Sequence, residues 1–151
     1  MNRTPVSLAA SLAASLVAAL GLAALPVAPA LAASLTVVVE GVSRPTGNIR
    51  LELSSSEAAY QGRAAPARAI SIPARAPATR IEIPDLTPGL YAFRVHHDAD
   101  GDGRLDTGAM GQPTEGWSAS NGAAGPFGPG PWSKAAFQVN SGSQSVTVRL
   151  R

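Results

Sequence analysis

No cysteine occurs in the 151 residues, so no disulfide, thiolate metal site or lipid-bearing cysteine is available, and the fold must be held by its core or by its core and an ion. An excess of one charge is also missing. Twelve basic residues stand against 10 acidic ones, and loss of Arg3 with a leader leaves 11 against 10, which argues against a nucleic-acid partner. No serine-hydrolase motif, redox motif or nucleotide loop is present, so the expected role is binding and not that of an enzyme. From Ser34 onward apolar residues recur at a period of two rather than 3.6, which excludes an amphipathic helical architecture.

Residues 1–32 read as a signal peptide: Arg3 gives a positive start, Val6 to Leu25 is an apolar run, and Ala30-Leu31-Ala32 is a small-residue cleavage site. The run is long enough to span a bilayer, which makes an uncleaved anchor the alternative. Ala at both key positions of two overlapping sites favours cleavage. The expected mature chain, 33–151, is long enough for a single domain. It would be periplasmic or secreted, with no membrane span after cleavage.

Leu35, Val37 and Val39 alternate with Thr36, Val38 and Glu40, and Ile49, Leu51 and Leu53 alternate with Arg50 and Glu52. Ser43-Arg44-Pro45-Thr46-Gly47 between them has the Pro and Gly of a hairpin connection. Residues 54–69 suit a loop or short helix. Ile70 and Ile72 form a short strand stopping at Pro73, and Ile81 and Ile83 form another ended by Pro84. Pro88-Gly89 then turns into the most aromatic strand, with Tyr91, Phe93 and Val95 on one face and Ala92, Arg94 and His96 on the other. Phe137 and Val139 pair with Val146, Val148 and Leu150 as a closing hairpin through Asn140-Ser141-Gly142-Ser143. The sum is an all-β, seven-stranded antiparallel β-sandwich. Its Pro-Gly turn before a Tyr-bearing strand is similar to prealbumin-like and Ig-like modules.

Between Asp106 and Ala135 no strand pattern is visible, and the segment is a long Gly/Pro-rich loop. Its aromatics argue against disorder. Either they plug one end of the sandwich, or Trp117 and Trp132 form a ligand-binding surface.

The stretch that demands chemistry is His97-Asp98-Ala99-Asp100-Gly101-Asp102-Gly103-Arg104-Leu105-Asp106, with four carboxylates in nine consecutive residues from Asp98. Asp98, Asp100 and Asp102 at alternate positions followed by Gly103 match the opening of an oxygen-ligand Ca²⁺ loop. Arg104 would contribute its backbone carbonyl and Leu105 would pin the loop to the interior. An EF-hand has a bidentate glutamate at position twelve, where this chain has Ala109, so the last ligand falls to Asp106, Glu115 or water. A bare Asp/Gly turn is the alternative. His96 and His97, adjacent on a strand, point to opposite faces, so at most one could join a given centre.

These residues carry a resemblance. The mature chain resembles a family of small exported bacterial proteins known as domain of unknown function 2141. The resemblance rests on Leu35-Thr36-Val37, Gly47-Asn48-Ile49-Arg50, Leu86-x-Pro88-Gly89-x-Tyr91 and the acidic block. Gly111-x-Pro113-x-Glu115-Gly116, Phe127-Gly128-x-Gly130-Pro131 and Ala135-Ala136-Phe137 complete it. Thr107-Gly108-Ala109-Met110 and Trp117-Ser118-Ala119 depart from the family pattern. The resemblance implies an exported β-sandwich and no established biochemical role. The expected function is a Ca²⁺-stabilised binding module for a protein or envelope component. The alternative is a carbohydrate-binding module that takes a polysaccharide on Trp117 and Trp132.

Overall fold

The computed structural model describes residues 32–125 and 127–151, so all of the expected signal peptide except Ala32 lies outside the described residues. Among the described residues eight strands form: β1 Ala33–Glu40, β2 Asn48–Ser54, β3 Arg68–Pro73, β4 Ala78–Leu86, β5 Gly89–Asp98, β6 Trp117–Ala119, β7 Phe137–Val139 and β8 Gly142–Arg149. Two four-residue helices, α1 Glu57–Tyr60 and α2 Trp132–Ala135, complete the elements that matter here. The protein is all-β. Among the described residues no helix is long and apolar enough to cross a membrane.

The strands form two sheets, one in the order β4-β1-β8 and the other in the order β3-β2-β5-β6, with β7 also paired to β5. The period-two pattern explains why they enclose a common interior. Leu35, Val37 and Val39 of β1 and Ile81 and Ile83 of β4 share one buried cluster with Ile49, Leu51 and Leu53 of β2 and Phe93 and Val95 of β5. Each such side chain contributes roughly 1.5–3 kcal/mol on leaving water. The opposite face of the second sheet is also covered. Tyr60, Ala92 and Ala135 form a second buried cluster there, with Trp132 packed against it.

The arrangement differs from seven antiparallel strands in two respects. β8 runs parallel to β1, from Ala33 opposite Gly142 to Glu40 opposite Arg149. The eighth strand is β6, whose three residues are all buried, so it shows none of the alternation by which a half-buried strand is recognised.

Neither expected terminal hairpin forms. β7 pairs with β5, where Phe137 meets Phe93 edge-on with ring centroids 5.9 Å apart, while β8 crosses to the other sheet. The Ser43–Gly47 connection likewise links β1 in one sheet to β2 in the other. A hairpin pattern in sequence marks a tight reversal but does not say which sheet receives the second strand.

Pro84 does not end its strand. β4 is an edge strand, and its register with β1 shifts between Ala33–Leu86 and Leu35–Ile83, so an irregular step accommodates the proline, which has no N–H to donate.

Candidate metal centre

β5 ends at Asp98, whose side chain is fully buried, and the acidic loop leaves the sheet from there. Burying a carboxylate is unfavourable unless hydrogen-bond donors replace water. Here Asp98 Oδ1 accepts from the Gly101 amide at 2.9 Å and Oδ2 from the Gly103 amide at 3.1 Å. Arg50 on the neighbouring strand adds an ion pair, Nη1 lying 3.5 Å from Oδ2. Both glycines have positive φ, 81° and 86°, the left-handed backbone that lets consecutive amides turn inward.

The following carboxylates are oriented in the same way. Asp100 Oδ1 accepts from the Asp102 amide at 3.2 Å, and Asp102 Oδ1 accepts from the Arg104 amide at 2.7 Å. Glu115 closes the ring from beyond the loop, Oε1 accepting from the Ala99 amide at 2.8 Å and Oε2 from the Asp106 amide at 3.2 Å.

Two ligand sets result. Oxygens of Asp98, Asp100 and Asp102 lie within 4.8 Å of one another, and so do those of Asp100, Asp106 and Glu115. Asp100 belongs to both. Asp98, Asp100 and Asp102, expected from their spacing, and Asp106 and Glu115, the alternatives for the last ligand, are distributed over these two clusters, and Arg104 sits in the same turn. Each carboxylate has about four lone-pair sites, and the backbone amides occupy only some of them. The donor set consists of hard oxygens, which suits Ca²⁺ or Mg²⁺ and not a soft-ligand metal.

The electrostatics are one-sided. The Asp106 carboxyl is raised above its ordinary value by desolvation and by the negative charges of Asp100, Glu115, Asp102 and Asp98. Opposite them stands the Arg50 guanidinium, a residue that sequence reasoning placed only in an alternating strand. Its role follows from register, since Arg50 lies opposite His96 and Asn48 opposite Asp98.

The histidines separate as strand geometry requires. His97 is buried, with Nε2 2.7 Å from the Thr46 carbonyl oxygen, which ties the loop base to the β1–β2 connection. His96 is on the other face, its Nε2 buried and without a hydrogen-bond partner, and its pKa is lowered chiefly by burial, with Glu115 and Asp98 opposing.

Three expectations land differently. Leu105 is half-buried, but it lines a cleft over the outer face of the second sheet and stays out of the shared core. Trp117 is only 6% exposed, on β6 opposite His96. Trp132 is on α2, with its ring edge-on to Tyr60 at 5.9 Å. The two tryptophans thus lie against different parts of the sheet and do not make one open platform.

Compared with known families, residues 37–147 match the model of a family described as an uncharacterized protein conserved in bacteria (DUF2141). No curated protein and no solved structure matches the chain.

Proposed function

This chain belongs to the DUF2141 family, a membership that names no reaction, and from that premise we propose that it is an exported, non-enzymatic binding module stabilised by Ca²⁺. The observation that carries the reading is the convergence of Asp98, Asp100, Asp102, Asp106 and Glu115 on two sets sharing Asp100. Folding alone brings them together, and among the described residues Arg50 is the single ion-pair partner found for any of the five. A divalent cation relieves the repulsion that remains. The flexible, oxygen-rich loop favours Ca²⁺ over Mg²⁺, which demands compact octahedral geometry and gives up water reluctantly.

Binding is favoured over catalysis because the gathered groups are hard oxygens, oriented by backbone amides, which suit a hard ion. Export to the periplasm or beyond, read from residues 1–32, makes a protein or envelope component the expected partner. The carbohydrate reading is weaker, since the two tryptophans share no open platform: Trp117 lies on β6 and Trp132 is turned edge-on against Tyr60.

Calorimetric titration of the mature chain tests the metal reading: one Ca²⁺ per chain in the weak extracellular range of roughly 10⁻⁴–10⁻³ M supports it, and no heat with Ca²⁺ defeats it. Sedimentation with isolated envelope fractions tests the partner. Retention in Ca²⁺ that is lost in EDTA is expected, and equal recovery in the supernatant under both conditions counts against an envelope component.

A further inference from the structure

The outer face of the second sheet carries a cleft of about 340 Å³, within the range of small-molecule sites. Strand register builds it. Arg50 lies opposite His96 and His96 opposite Trp117, while Glu52 lies opposite Arg94, so charged and aromatic groups stand in two adjacent rows. Gly103, Arg104 and Leu105 contribute from the acidic loop and Pro129 from the Gly/Pro segment.

Three features describe what the cleft would accept. His96 Nε2 and Tyr60 Oη are the buried side-chain polar atoms lacking a partner among the described residues. The first belongs to a residue lining the cleft, and the second is near enough to Arg94 to feel its charge. Of the three lining guanidinium groups, Arg50 is paired with Asp98 and Arg94 with Glu52, while Arg104 has no ion-pair partner among the described residues. Arg94 pairs with Glu52, yet a guanidinium has five N–H donors and spare ones remain. Trp117, Leu105 and Pro129 add apolar wall.

We propose that this cleft binds a small organic carboxylate, with its anionic end on Arg94, Arg104 and His96 Nε2 and its apolar body against Trp117, Leu105 and Pro129. Guanidinium groups recognise planar carboxylates through paired N–H donors, and an aromatic wall accepts the adjoining hydrocarbon. None of the five loop carboxylates lines the cleft, but it adjoins the acidic loop through Gly103, Arg104 and Leu105 and through Arg50, the partner of Asp98.

The test is titration of the mature chain, in a Trp132→Phe background so that Trp117 alone reports, with benzoate, its neutral isostere benzamide and inorganic phosphate. Saturable fluorescence change with benzoate is expected, at least about tenfold tighter than with benzamide or phosphate and weakened about tenfold in Arg94→Gln. The same titration with calcium and with EDTA separates this site from the ion. Arg104→Gln, at the exposed rim, should also weaken benzoate and serves if Arg94→Gln misfolds. No saturation with benzoate, equal binding of benzamide, phosphate binding alone, or unchanged affinity in a folded arginine variant would overturn the proposal.

Discussion

Gly47 lies directly against Asp98: a Cβ on Gly47 would fall 2.1 Å from the Asp98 carbonyl oxygen and 2.7 Å from Ala99 Cα. The contact is between backbones, so no side chain can swing away to relieve it. Gly47 also has φ +66°, a conformation that costs other residues roughly 1–2 kcal/mol. With Thr46 held by His97, this connection forms the floor under the acidic loop. Gly47→Ala is therefore expected to lower stability by about 2 kcal/mol or more and to weaken calcium binding by displacing Asp98. Urea denaturation with and without CaCl₂ checks both effects, and a wild-type midpoint would contradict the packing.

The tryptophans should separate by burial. Trp117→Ala, at a buried site, is expected to cost about 3–5 kcal/mol. Trp132→Ala removes a half-buried ring and an edge contact to Tyr60, for about 1–2 kcal/mol. Chemical denaturation of each variant decides. A stable Trp117→Ala that loses retention on a polysaccharide column would instead restore the carbohydrate reading.

Much of the fold is legible in the sequence. The alternation of Leu35, Val37 and Val39 gave away the core-facing side of β1, and the spacing of Asp98, Asp100 and Asp102 marked the loop. With Ala109 at position twelve, the sequence leaves Asp106, Glu115 or water to complete the ligand set. Sheet membership was not legible, since turn residues around Pro45 and Ser141 signal reversal without specifying a partner strand. The Arg50–Asp98 pair and the cleft around His96 were hidden for the same reason. They depend on cross-strand register between β2 and β5 and, for the cleft, between β5 and β6, which local pattern does not encode.

Asp106 gives a pH signature. Its folded pKa is raised above the ordinary 3.8, so the metal-free fold holds the proton more tightly than the unfolded chain does. Its stabilising contribution is complete below the ordinary value and is lost as pH rises through the raised folded value. A bound cation favours the ionised form and opposes that loss. The calcium-induced gain in Tm should therefore grow as pH rises from about 4 to 6, and grow less in Asp106→Asn. Melting curves across that range check it; identical profiles for the two proteins would contradict it.

Export is tested by mass. The chain expressed from Met1 in a bacterial host is expected to yield a periplasmic species beginning near Ala33, because Ala30-Leu31-Ala32 offers the small residues a signal peptidase needs. Intact-mass spectrometry of the periplasmic fraction identifies it. Recovery of only the uncleaved chain from membranes would favour the anchor instead.

The most direct test of the calcium account is the melting temperature of the mature protein in EDTA, in CaCl₂ and in MgCl₂, compared with Asp100→Ala. Asp100 is exposed and belongs to both carboxylate sets, so its loss should remove the site while leaving the core intact. At a hundredfold excess over Kd, calcium should stabilise the wild type by about 2.7 kcal/mol. For a domain of this size that raises Tm by roughly 10 °C, with a smaller rise in magnesium and almost none in the variant. Equal wild-type melting temperatures in EDTA and calcium, or a calcium shift that persists in Asp100→Ala, would contradict the account.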